Sequence, residues 1–226
     1  MYHILTKNKK FMKKNIQLLF TAILALSISF TSCKKTDTAT TDINSNLATH
    51  GDDQSRVSNE TDAVANDADA ATENYAAFSG RPGPVDNAVF NLPCDATVAL
   101  DSTATDRRIT ITYNGTNCQG TRVRTGVVVL TMPLGTHWRD QGAVLTESIQ
   151  NLHITRLSDN KSITINGTRT ITNTSGGRLI DLPIAGAGAT RVHDIASSGI
   201  NVTFDDGTTR TWQVSKRRTF TFDNGI

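Results

Sequence analysis

Apolar and polar positions change rhythm three times along this chain. From Ile16 to Phe30 the run IQLLFTAILALSISF carries no charge, and from 34 to about 59 large apolar side chains all but vanish. In ETDAVANDADAATENYAAF, residues 60–78, Val64, Ala68, Ala71, Tyr75 and Phe78 fall mostly at helical spacing behind an N-cap of Asn59 or Thr61. Beyond 88 the period drops to two. Ile109, Ile111 and Tyr113 alternate with Thr110 and Thr112, and Ile163, Ile165 and Ile171 recur in SITINGTRTIT. Val202 and Phe204 precede Asp206-Gly207, after which Trp212, Val214, Phe220 and Phe222 keep one parity.

A period of two with Thr-rich outer faces predicts antiparallel strands buried on one side. Val123, Val127 and Val129 line one face of TRVRTGVVVLTM and Val128, Leu130 and Met132 the other, so this strand is expected to be central and covered twice. Turns are expected at Asn114-Gly115, Asp159-Asn160, Gly176-Gly177 and Asp206-Gly207. The fold class is therefore all-β: a long-stranded antiparallel meander over 88–226, either a sandwich or a single curved sheet closed by a short helix over 60–78. Residues 33–59 are expected to form a disordered tether, and SGRPGPVDN, 79–87, a linker. Asn224-Gly225 signals a turn with no strand returning from it, so the β domain is expected to be truncated at its C-terminus.

The first apolar run has its own logic. Lys13 and Lys14 precede it and Thr31 and Ser32 follow, as in a secretory signal peptide covering residues 1–32. A membrane-spanning helix needs roughly 20 apolar residues, and this run is shorter and interrupted by Gln17, Thr21, Ser27 and Ser29. Met12 opens a complete signal by itself and is the expected initiator. The residues FTSCKK resemble a lipobox, with Phe30 standing where Leu, Val or Ile is usual. That resemblance implies cleavage before Cys33 and acylation of its thiol with palmitate-type chains, hence a membrane partner reached through lipid.

Removing the signal changes the charge and the thiol count. The whole chain has a net charge of +2, but five Lys and no acid precede Cys33, leaving 18 basic against 21 acidic residues, a net of −3. Such a balance argues against nucleic acid as a partner. The run Lys216, Arg217, Arg218 reads as a solvated strand end, and Asn66, Asp67, Asp69 and Glu73 as an acidic helix face. Once Cys33 is acylated, Cys94 and Cys118 remain as a pair that export would oxidise to a disulfide. Two isolated cysteines offer too few ligands for a metal, so none is expected.

The stretch from Cys94 to Thr131, then WRDQGAVLTESIQNLHI and NGTRTITN, resembles a group of uncharacterised Bacteroidota lipoproteins. The matching positions are Cys94, Gly115, Cys118, Gly120, Arg124, Gly126, Gly142, Gly207 and Trp212. The resemblance implies an outer-membrane lipoprotein facing the periplasm or the cell surface, and it supplies no activity. No serine sits in a GxSxG elbow; His193-Asp194 is expected in a loop and His153 within a strand, and neither has metal or triad spacing. His137, Trp138 and Arg139 form the densest polar–aromatic loop and are the candidate ligand residues, with a glycan stacking on Trp138. The expected role is a non-catalytic binding or scaffold module without cofactor, its partner a glycan or a protein. The alternative is an accessory to a glycan-processing enzyme or uptake system.

Overall fold

The computed structural model describes residues 40–80 and 91–223. The chain divides into two units, Met1–Asp52 and Asp53–Ile226, and the packing below concerns the second. The elements are α1 (Thr40–Asn74), α2 (Ala76–Ser79), β1 (Ala96–Ser102), β2 (Asp106–Thr116), β3 (Arg122–Pro133), β4 (Ala143–Arg156) and β5 (Ser162–Asn173), then α3 (Leu182–Ala185), β6 (Thr190–Phe204) and β7 (Thr209–Thr221).

All seven strands form one open antiparallel sheet in the order β1-β2-β3-β4-β5-β6-β7, each neighbour joined by chain connectivity. The curved-sheet alternative is the one adopted. Alternation places the core as the sequence pattern requires: Ile109, Ile111 and Tyr113 on β2, Val128, Leu130 and Met132 on β3, and Ile163, Ile165 and Ile171 on β5 all face inward and are buried. They share one core with Val57, Val64, Ala65, Ala68 and Ala71 of α1.

The consecutive residues Glu60, Thr61 and Asp62 bond to Arg122 of β3, Arg169 of β5 and Lys216 of β7. Strands lie about 4.8 Å apart, so one level of a helix about 10 Å wide spans four strand spacings only if the sheet curls round it. Two bulges produce that curl. β4 carries one extra residue between Ile149 and Leu152, and β6 one between Ser197 and Ile200. At each the buried parity switches, from Leu145, Glu147 and Ile149 to Leu152 and Ile154, and from His193 and Ile195 to Ile200, Val202 and Phe204. A bulge bends its strand and strengthens the local twist. Gly126 and Gly167 lie on the strands beside them, at φ +123 and +148, where a Cβ would meet bulge backbone.

Four expectations are corrected. The helix starts at Thr40, so 40–59 is not a disordered tether. From Asp53 onward α1 gains its stability from packing small alanines and carboxylates against the sheet, a source that a search for large apolar side chains does not register. Asn114-Gly115 lies within β2, because its ladder continues to Thr116 opposite Val123; the turn forms at Asn117, whose Oδ1 accepts from the Thr121 and Arg122 amides. Val123, Val127 and Val129 are half-buried on the outer face, which no second layer covers among the described residues. His193-Asp194 lies within β6 rather than in a loop. The signal peptide, Cys33, Asn224-Gly225 and nearly all of the 79–87 linker lie outside the described residues.

Candidate functional site

The concave face of the sheet is the candidate site, because charge enters it at positions that parity assigns to the core. Arg124, Glu147, Arg169 and His193 are all at most 5% exposed. Burying such groups is costly unless each is paired and hydrogen-bonded.

Arg124 has the fullest set of partners. Its Nε and Nη2 donate to the two oxygens of Asp95 at 2.6 and 2.7 Å, and its Nη1 donates to Asp67 Oδ2 of α1 at 2.7 Å. Tyr113 Oη donates to the same Asp67 oxygen at 2.9 Å, and the guanidinium lies 4.4 Å from the centre of the Tyr113 ring. Burial raises the Asp67 carboxyl above the usual range, the Arg124 charge pulling the other way. Burial and the Asp67 charge hold the Tyr113 phenol well above its ordinary value. Burial works against the charge on Arg124, but the Asp95 hydrogen bonds and the Asp67 charge outweigh it and raise its pKa. Asp95 follows directly on Cys94, and the Cys94–Cys118 disulfide closes beside this cluster.

Arg169 Nε donates to Glu147 Oε2 on the neighbouring strand, and its Nη2 donates to the Thr61 carbonyl of α1 at 2.9 Å. At the far end of the sheet His193 is fully buried between Trp138 and Phe220, ring centres 4.9 and 5.0 Å away, with Nδ1 3.4 Å from Asp69 Oδ1. Arg218 Nη1 donates to the other Asp69 oxygen at 2.9 Å. One helical turn on, Glu73 Oε1 accepts from the Leu179 amide at 2.9 Å. Burial pushes the Glu73 carboxyl up to about 7, against the Leu179 hydrogen bond and the Arg178 charge.

These pairings revise two expectations. Asp67 and Asp69 are turned into the sheet and Glu73 is buried against Leu179 of the β5–β6 connection, rather than forming a solvated acidic face. Lys216, Arg217 and Arg218 lie within β7 and pair with Asp62, Asp194 and Asp69; Lys216 and Arg217 are exposed to solvent as expected, and Arg218 is the one turned inward.

The predicted ligand loop is divided in role. Trp138 is fully buried; its amide donates to the Phe78 carbonyl at 2.7 Å and its carbonyl accepts from Asn173 Nδ2 at 2.6 Å. A ring sealed into the core offers no face to a glycan, so Trp138 is a packing anchor. His137 is half-buried, its amide donating to Asp140 Oδ2 at 2.7 Å, and Arg139 is exposed with its carbonyl held by the Gly177 amide. His153 lies on the outer face, 3.0 Å from Thr164 Oγ1.

Of the inward-facing arginines, Arg169 and Arg218 match no motif and Arg124 enters only as a position of the sequence resemblance, yet the parity of all three was readable: each lies an even number of residues from apolar positions on its strand. Among the described residues no group of His, Cys, Asp and Glu is placed to hold a metal ion, and no helix is long and apolar enough to cross a membrane. Comparison with protein-family models, curated proteins and solved structures finds no match for this chain.

Proposed function

We propose that this chain is an envelope lipoprotein, anchored through acylated Cys33, whose β domain serves as a non-catalytic binding or scaffold module. The observation that carries the reading is the engagement of the inner charges. Arg122, Arg124, Arg169, Arg210, Lys216 and Arg218 each bond to α1, so the groups best suited to acid–base or anion chemistry hold a helix in a trough. A catalytic site presents such groups to a substrate in convergent geometry; here they converge on the chain itself. The lipobox-like FTSCKK and the apolar run before it support the anchor, and the outer membrane is the location the sequence resemblance favours.

The test is expression in a bacterial host with labelled palmitate. The wild-type chain should take up label and accumulate as an uncleaved precursor under globomycin. Cys33→Ala should take up none, and continued labelling of that variant would defeat the anchor.

A further inference from the structure

The connection between β5 and β6 is tied to the helix in one place. Its residues 178–187, RLIDLPIAGA, carry one cation and one acid, and these are spent on each other. Arg178 Nε and Nη2 donate to the two oxygens of Asp181 at 2.9 and 2.7 Å. The Asp181 and Gly186 amides donate within the segment, to the carbonyls of Arg178 and Leu182. Its base is fixed at both ends, where Gly177 N–H donates to the Arg139 carbonyl and Gly188 N–H to the Phe222 carbonyl. Among the described residues, the only hydrogen bond from 178–187 to the chain outside this connection runs from the Leu179 amide to Glu73 Oε1 of α1, at 2.9 Å.

Packing adds little to that bond. Leu182 is buried, Leu179 is half-buried and Ile184 is 86% exposed. Beneath Leu179 and Leu182 a cleft of about 410 Å³ reaches Ala70 of α1 and Phe220 of β7. The latch is also a poor place for a charge. Glu73 is buried, and its Oε2 has no hydrogen-bond partner. Asp69, one turn back on α1, and Asp181 on the connection repel a carboxylate there, and Arg178, the one nearby cation that attracts it, is paired with Asp181 instead. Behind Asp69 stand His193 of β6 and Arg218 of β7, both turned to Asp69, while Arg139 and Arg191 flank Gly177 at the base. A buried charge is costly unless it is paired, and burial accordingly holds the Glu73 carboxyl at about 7.

We infer that residues 178–187 form a pH-sensitive flap, latched to α1 through protonated Glu73 and released when that carboxyl ionises. The neutral acid accepts from the Leu179 amide with no charge to solvate. The carboxylate needs water, and water reaches it when the flap lifts. Gly186, at φ +93 with open space around it, gives the far end of the flap a place to turn. Glu73 holds its proton more tightly with the flap docked than with it open, so opening is favoured as pH rises from 4.5 to 7 and gains nothing further above that. Lifting bares Leu179, Leu182 and the cleft beneath them, an apolar surface shut in acid and open above neutrality. The flap works whether or not Cys33 is acylated.

Amide exchange on the full chain tests this, read as protection factors so that the intrinsic pH dependence of exchange drops out. Protection of the Leu179 amide should fall at least about tenfold between pH 5 and pH 8, while Ile163–Ile171 of β5 stays protected. Glu73→Gln keeps an acceptor for that amide without a titrating charge, and should hold its protection at both pH values. If the variant fails to fold, the side-chain carboxyl ¹³C shift of Glu73 in the wild-type chain decides: it should titrate near 7, with the Leu179 amide shift moving in step. Four results would each overturn the inference. They are protection at Leu179 that ignores pH, the same loss in Glu73→Gln, a loss shared by β5, and protection that rises with pH because ionised Glu73 draws Arg178 onto itself.

Discussion

Gly126 sits so close to the β4 bulge that a Cβ placed on it would lie 2.5 Å from the carbonyl oxygen of Asn151. The obstructing atom is backbone, and Gly126 itself holds φ +123. Gly126→Ala combines a strained dihedral with a steric clash at the crease that bends the sheet, and should cost about 3 kcal/mol. Gly120→Ala, at φ +65 in open space, should cost about 1 kcal/mol. Urea midpoints of the two variants check the contrast.

Removing one partner of a buried pair is far worse than removing both. Arg169→Met leaves Glu147, fully buried, with an uncompensated charge and should cost about 3–5 kcal/mol. The double replacement Arg169→Met with Glu147→Leu should recover most of that loss. A double-mutant cycle by chemical denaturation reads it, and additive losses would contradict the pairing.

Acid strengthens one part of this fold. The Glu73 carboxyl titrates near 7 in the folded chain and at 4.5 when free. Between those values the folded state binds more protons than the unfolded state, so this group's contribution falls as pH rises from 4.5 to 7 and is flat above. Glu73→Gln should remove the slope and be more stable than wild type at pH 8 by up to about 3 kcal/mol. Thermal melts from pH 4 to 8 test the sign.

Reducing Cys94–Cys118 should cost about 3 kcal/mol in the chain-entropy model. Both cysteines are exposed, so a mild reductant reaches them, and the neighbouring Asp95–Arg124 pair should loosen with the loop. Comparing denaturation with and without dithiothreitol, against Cys94→Ser/Cys118→Ser, measures it.

β2, β3, β5, β7 and the end of β6 were legible because period-two alternation survives in them, and the Asp206-Gly207 turn carries its signature dipeptide; β1 and β4 were not singled out by it. The bulges were not, since one inserted residue at Asn151 or Ser198 reads as noise in a short pattern. The helix was half legible. Val64, Ala68 and Ala71 show its period, but its hold on the sheet lies in Asp67 meeting Arg124 and Asp69 meeting Arg218, pairs separated by 57 and 149 residues. Charge on the core parity of a strand was the overlooked sign. Trp138 misled for the opposite reason: an aromatic in a polar loop resembles a platform until the fold shows that it faces inward.

Native-state amide exchange across Val57–Ala71 tests the central claim most directly, that the trough is filled by its own helix. These amides should be protected to the level of Ile163–Ile171 in β5, opening only with global unfolding. Exchange within about tenfold of an unstructured peptide, with β5 still protected, would contradict it and free the inner arginines for another ligand.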